Sequence, residues 1–128
     1  MGANADVIKS GWEAFGRQDL DGATANFDDD AEVVVPESLP WGGTYRGPDG
    51  FKQMVGQFLS QFEDFRPTID GVFEAEDDLV VVPLDTWGRS KTGKEMSSRA
   101  VWLYRLRNSK VVRAEIFPDT ADTLEAVS

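Results

Sequence analysis

The sequence predicts an α+β fold in which helices come first and strands follow. Three patterns carry that prediction. Apolar residues at helical spacing fill two early segments, around residues 7–15 and 51–65. Residues 68–117 are rich in β-formers and broken by short polar turns. The stretch from Thr92 to Glu125 reads as a long hairpin ending in a proline and an acid, with a helical tail behind it.

Taken in order, Asn4 or Asp6 can cap a first helix running to about Gly16, with Val7, Ile8, Gly11, Trp12 and Phe15 on one face. Gln18-Asp19-Leu20-Asp21-Gly22 breaks it, and a short second helix carries Ala23 and Phe27. The run Asp28-Asp29-Asp30 is expected as a solvated helix end before a first strand, Ala31 to Val35, which Pro36 closes. The following ESLPWGGTYRGPDG is the longest irregular stretch, and long loops in compact domains tend to be functional or mobile. It offers Trp41 and Tyr45 either as a lid over a pocket mouth or as packing against the core. Pro48-Asp49 then opens a helix from Gly50 to about Asp64, whose stripe of Phe51, Met54, Val55, Phe58, Leu59, Phe62 and Phe65 needs a sheet to lie on.

Arg66-Pro67 starts the strands. Thr68 to Phe73 and Leu79 to Trp87 are joined at Glu76-Asp77-Asp78, and Pro83 argues that the second lies at an edge or carries a bulge. Thr92-Gly93-Lys94 is a turn signal, Met96 to Leu106 a long strand, and Arg107-Asn108-Ser109-Lys110 a break of hairpin length. Val111 to Phe117 returns as the last strand. Pro118 stops it, and Asp119-Thr120 can cap a terminal helix from Ala121 to Val127.

Composition narrows the chemistry. At 128 residues, with 41% apolar residues, eight Phe and four Trp, the chain predicts one packed domain over residues 1–128. No apolar run approaches the roughly 18 residues of a membrane span, and no signal-peptide pattern opens the chain, so a cytoplasmic protein off the membrane is expected. There is no cysteine and no histidine. Disulfides, Ser-His-Asp and Cys-His machinery are therefore excluded, and acid–base work falls to Asp, Glu, Tyr, Lys or Arg. The net charge of −10 argues against non-specific nucleic-acid binding. That charge is uneven: between Arg89 and Arg113 lie eight bases and one acid, Glu95. Outward bases of this hairpin are expected opposite acidic neighbours such as the Glu74 to Asp78 run, with an anion-binding patch as the alternative.

The last hairpin carries a family resemblance. Thr92-Gly93, Trp102 to Leu106, Ser109-Lys110, Val111-Val112-Arg113 and Phe117-Pro118-Asp119-Thr120 follow one another as in the SnoaL-like branch of the NTF2-like superfamily. That group includes polyketide cyclases, ketosteroid isomerase and limonene-epoxide hydrolase. The Asp19-Leu20-Asp21-Gly22 corner, Phe27 and the acid run before the first strand also fit its order. The resemblance implies a cone: a strongly curved, mostly antiparallel sheet wrapped around the N-terminal helices, with a deep apolar pocket inside. It also implies a homodimer formed through the sheet and no metal or organic cofactor.

Within such a cone, alternation offers two faces on the strand from Met96. Ser98, Ala100, Trp102, Tyr104 and Leu106 are expected to face inward, because arginines flank the Val101–Leu103 set. On the last strand either Ala114 with Ile116, or Arg113, Glu115 and Phe117, point in. The expected contacts to a small hydrophobic molecule are Trp12, Phe15, Trp41, Tyr45, Phe58, Phe62 and Trp102. Asp119 resembles the acid that cyclases and epoxide hydrolases place at the end of this strand; it is the candidate general acid or base, with Tyr104 beside it, and its alternative role is a helix cap. The isomerase's own polar groups would fall at Val35, Trp102 and Gly11, and the hydrolase's second aspartate is also missing. Steroid isomerisation by that mechanism is thus not expected. A cyclase, isomerase or hydrolase of another kind, a non-catalytic ligand binder, and a dimeric interaction module remain.

Overall fold

The computed structural model describes residues 3–76 and 78–118. Two N-terminal helices, α1 (Ala3–Gly16) and α2 (Leu20–Ala23), precede β1 (Phe27–Val35), β2 (Gly43–Arg46) and α3 (Gly47–Leu59). Five strands follow: β3 (Phe62–Ile69), β4 (Phe73–Ala75), β5 (Leu79–Ser90), β6 (Glu95–Arg107) and β7 (Lys110–Pro118). They form one seven-stranded sheet in the order β2-β1-β7-β6-β5-β3, with β4 also on β5. Only β1–β7 is parallel; every other pairing is antiparallel. The helices cover one face, and the core lies between that face and α1 and α3. No helix among the described residues is long and apolar enough to cross a membrane.

The long strands alternate as a sheet with one buried face must. On β5, Val80, Val82 and Leu84 are buried; on β6, Met96, Ala100, Tyr104 and Leu106; on β7, Val111, Ala114 and Ile116. Val33, Val80 and Val82 are wholly excluded from solvent, each contributing about 1.5–3 kcal/mol of burial. The hairpin β6–β7 closes through two residues, Asn108 (φ 52°) and Ser109 (φ 63°), between the pair Arg107↔Lys110. Two successive left-handed residues twist the turn to match its strands.

Several local expectations need correction. The helix N-terminus is not capped by its own Asn4 or Asp6. The Glu74 carboxylate of β4 accepts from the backbone N–H groups of Asn4 (2.8 Å) and Ala5 (3.0 Å), and Asn4 Nδ2 donates to Asp78. A carboxylate satisfies orphan donors at the positive end of the helix wherever it comes from. Phe27 and the three aspartates belong to β1, not to a helix. The β1–β7 register shifts between Phe27 and Glu32, so the polar run is accommodated as an irregularity within the strand. Gly47, at φ +73°, lies against it: a Cβ there would stand 2.6 Å from the Asp29 carbonyl oxygen.

The loop after Pro36 is shorter than expected, because Gly43–Arg46 pairs with β1 as β2. The third helix ends at Leu59, and Phe62 and Phe65 sit on β3. Phe58, Phe62 and Phe65 satisfy helical spacing, but Ser60 and Gln61 break the apolar stripe and Pro67 removes the helical option from Arg66. Pro83 does not mark an edge. β5 runs between β6 and the β3/β4 side, and the Pro83 carbonyl accepts from Asp70 N–H at 2.9 Å. Backbone N and C=O of one residue point the same way in an antiparallel strand, so the ring nitrogen faces the crossover between β3 and β4, where no ladder partner is lost.

Candidate functional site

The concave face of the sheet and the helices enclose a partly open cavity of about 120 Å³. That is the scale on which a single aromatic ring fits an apolar protein cavity. Leu84, Thr86, Met96, Ser98, Ala100 and Ile116 floor it. Helix α1 contributes Val7, Ile8, Trp12 and Phe15, because Trp12 and Phe15 fall on the helix face that Val7 and Ile8 define. Helix α3 contributes Phe51, Met54, Val55 and Phe58 in the same way. Trp102 and Tyr104 rise from β6, and Leu39 and Trp41 come from the segment between β1 and β2.

The rings hold one another edge to face. Trp12 meets Trp102 at 5.1 Å between centroids and 80°, and Phe15 at 5.7 Å and 75°. Trp41 meets Phe58 at 4.9 Å and 86°, and Trp102 stacks on Tyr104 at 5.8 Å and 25°. Such contacts stiffen a wall that plain apolar burial would leave plastic.

Polar groups are few. Thr86 Oγ1 donates to the Ser98 carbonyl at 3.1 Å and can accept from Ser98 Oγ at 3.3 Å across β5 and β6. Asn26 lines the opposite side. Burial pushes the Tyr104 phenol far above the ordinary tyrosine value of 10.0, with the neighbouring Trp12 indole N–H opposing the shift in part. Tyr104 therefore keeps its proton at neutral pH and acts as a donor, not a base. The Trp12 Nε1 atom is itself buried without an acceptor at hydrogen-bond geometry among the described residues. No Asp, Glu, Lys or Arg lines the cavity among those residues. Nor do they hold three or more acidic groups placed to bind a metal ion.

Of the residues the sequence singles out, Trp12, Phe15, Trp41, Phe58, Trp102 and Tyr104 meet at this cavity. Tyr45 and Phe62 do not line it. Tyr45 instead latches the segment before it: its hydroxyl donates to the Trp41 carbonyl at 2.7 Å, with Gln57 Oε1 at 3.2 Å. Trp41, only 5% exposed, is a wall and not a solvent-facing lid. Phe62 is buried behind Trp41 and Phe58. Asp119, its alternative cap role and the terminal helix lie outside the described residues. Phe27, Met54, Thr86 and Leu39 line the cavity without having been singled out. Phe27 was legible from the period-2 series Phe27, Ala31, Val33, Val35, interrupted by the acids; Leu39 carried no signal.

On the outer face, Arg99 pairs with Asp70 and Asp85, Arg113 with Glu32 (3.0 Å) and Glu115, and Arg89 with Glu63. The basic hairpin does face acids, but Glu74 and Asp78 go to α1 instead. Beside these charges Val101 and Phe117, cross-strand partners, are 37% and 50% exposed.

This arrangement is a cone-shaped α+β domain with an apolar internal site. The SnoaL-like domain family matches residues 9–114, and the chain belongs to that family. Solved structures agree in fold. An NTF2-like protein of unknown function from Burkholderia pseudomallei K96243 superposes with a TM-score of 0.92 at 24% identity, covering 100% of this chain and 99% of that one. TerC co-crystallised with polyporic acid gives 0.90 at 25% identity, covering 98% of each chain. A protein of ketosteroid isomerase-like fold from Catenulispora acidiphila DSM 44928, in complex with trimethylamine, gives 0.79 at 16%, covering 94% and 91%. No curated protein matches the chain.

Proposed function

We propose that this chain binds a small hydrophobic ring compound inside the cone. The observation that carries this reading is the cavity itself: aromatic and aliphatic walls, a handful of polar atoms, and no charged side chain among the described lining residues. Proteins of the same fold crystallised with polyporic acid and with trimethylamine support a small-molecule site in general. Titration with single-ring compounds, followed by tryptophan fluorescence, tests it, since Trp12, Trp41 and Trp102 all line the site. Saturable quenching is expected. No response from any ring compound up to its solubility limit overturns the reading.

Any turnover in this site is cofactor-independent proton transfer, with Asp119 as acid or base and Tyr104 as hydrogen-bond donor. β7 runs to Pro118, opposite Ala100 of the cavity floor, one residue before Asp119. For a substrate that the protein converts, Asp119→Asn is expected to lower kcat by about 100-fold or more while leaving binding within about twofold. Unchanged turnover removes Asp119 from the chemistry and leaves a binding protein. The exposed pair Val101 and Phe117, framed by paired charges, favours a second copy of the chain on the outer sheet face.

A further inference from the structure

Within this proposed binding site, and resting on it, the Trp12 indole N–H needs an explanation. It is a donor that can accept nothing, it is buried, and no acceptor among the described residues meets it at hydrogen-bond geometry, the Tyr104 oxygen lying near but out of line. Its ring packs edge to face against Phe15 and Trp102. The Tyr104 hydroxyl stands beside it, on a ring stacked against the same Trp102. The other hydroxyls at the cavity, on Thr86 and Ser98, are tied to one another's strand across β5 and β6. The Trp12 N–H is thus a donor without a well-aligned acceptor on this wall, with the Tyr104 O–H beside it.

A buried donor without a protein acceptor is satisfied by water or by an oxygen of the ligand. With no cationic side chain among the described lining residues, burying an anion there is costly, and a cation brings the Trp12 N–H no acceptor. We infer that the cavity selects a neutral ring compound bearing a carbonyl or ether oxygen, and that this oxygen is held by Trp12 Nε1 and the Tyr104 hydroxyl.

Four probes of nearly one shape separate the classes: acetophenone, its hydrocarbon counterpart α-methylstyrene, benzoate, and phenyltrimethylammonium. Acetophenone is expected to bind best relative to its water solubility. In Trp12→Phe its affinity relative to α-methylstyrene is expected to fall about three- to tenfold, the worth of one hydrogen bond. In the wild-type protein the Trp12 indole N–H resonance, assigned through Trp41→Phe, Trp87→Phe and Trp102→Phe, is expected to move downfield with acetophenone and not with α-methylstyrene. That measurement stands whether or not Trp12→Phe folds. If α-methylstyrene binds while the affinity ratio or the indole resonance shows no preference for acetophenone, the donor pair is not the selector, and the cavity reading survives. Preference for benzoate or phenyltrimethylammonium overturns the inference in the same way. If none of the four binds, the cavity reading fails and takes this inference with it.

Discussion

At the scale of single residues, two side chains show the fold imposing states that their chemistry alone would not choose. Tyr104 is buried where its charged form has no solvation, so its folded pKa lies above the unfolded value. The sign follows: below about pH 10 both states hold the proton and the full stability is present, and above it the unfolded chain releases a proton that the folded chain retains. Stability is therefore expected to decline as pH rises beyond about 10. In a spectrophotometric titration Tyr45, whose pKa burial also raises, should ionise in the folded protein, and Tyr104 only as the protein unfolds. A reversible two-tyrosine titration in the folded state would contradict this. Ser109 is the second case. Its φ of 63° lies in the region where a Cβ is crowded by the backbone, and Asn108 before it is the residue best suited to that region. Ser109→Gly is expected to stabilise the hairpin by about 0.5–1 kcal/mol, read as a higher denaturation midpoint at constant m-value.

At the scale of elements, legibility followed periodicity and failed where polarity competed with it. α1 and the β5, β6 and β7 strands were readable as elements from their apolar patterns; Trp102 and Tyr104 were placed inward by alternation together with the arginines on the opposite face, while alternation on β7 leaves its inward face open between two sets. Phe27 was misread because three aspartates beside it look like a solvated helix end, and nothing local says that a parallel partner will absorb them. β2 was missed because a four-residue strand gains its definition from the neighbour it pairs with. Phe62 and Phe65 fit a helical stripe and a strand equally, and the pairing of β3 with β5 decided between them. Pro83 is the instructive element. An interior strand tolerates it because its neighbours on one side are two separate strands with a gap between them. Pro83→Val is accordingly expected to destabilise by no more than about 1 kcal/mol, mostly through a freer unfolded chain. A loss of about 3 kcal/mol or more, measured by denaturant unfolding, would mean that the proline fixes the crossover.

At the scale of the whole molecule, the outer sheet face bears a proposal of its own. If two copies meet through Val101 and Phe117, Phe117→Glu should shift the mass seen by light scattering at micromolar concentration from dimer to monomer, leaving far-UV circular dichroism unchanged. A monomeric wild-type protein under those conditions would end that proposal without touching the cavity. The sheet order has another consequence, for the order of synthesis. β1 is among the first strands to leave the ribosome, yet its parallel partner β7 is the last of the seven, and the pair is tied by contacts such as Arg113 to Glu32, 81 positions apart. Until β7 emerges, β1 and β2 have no ladder to the other four strands, and only side-chain contacts such as Phe58 to Phe62 join the two parts. The sheet therefore closes only late in translation, and nascent chains stopped before residue 110 should remain protease-sensitive.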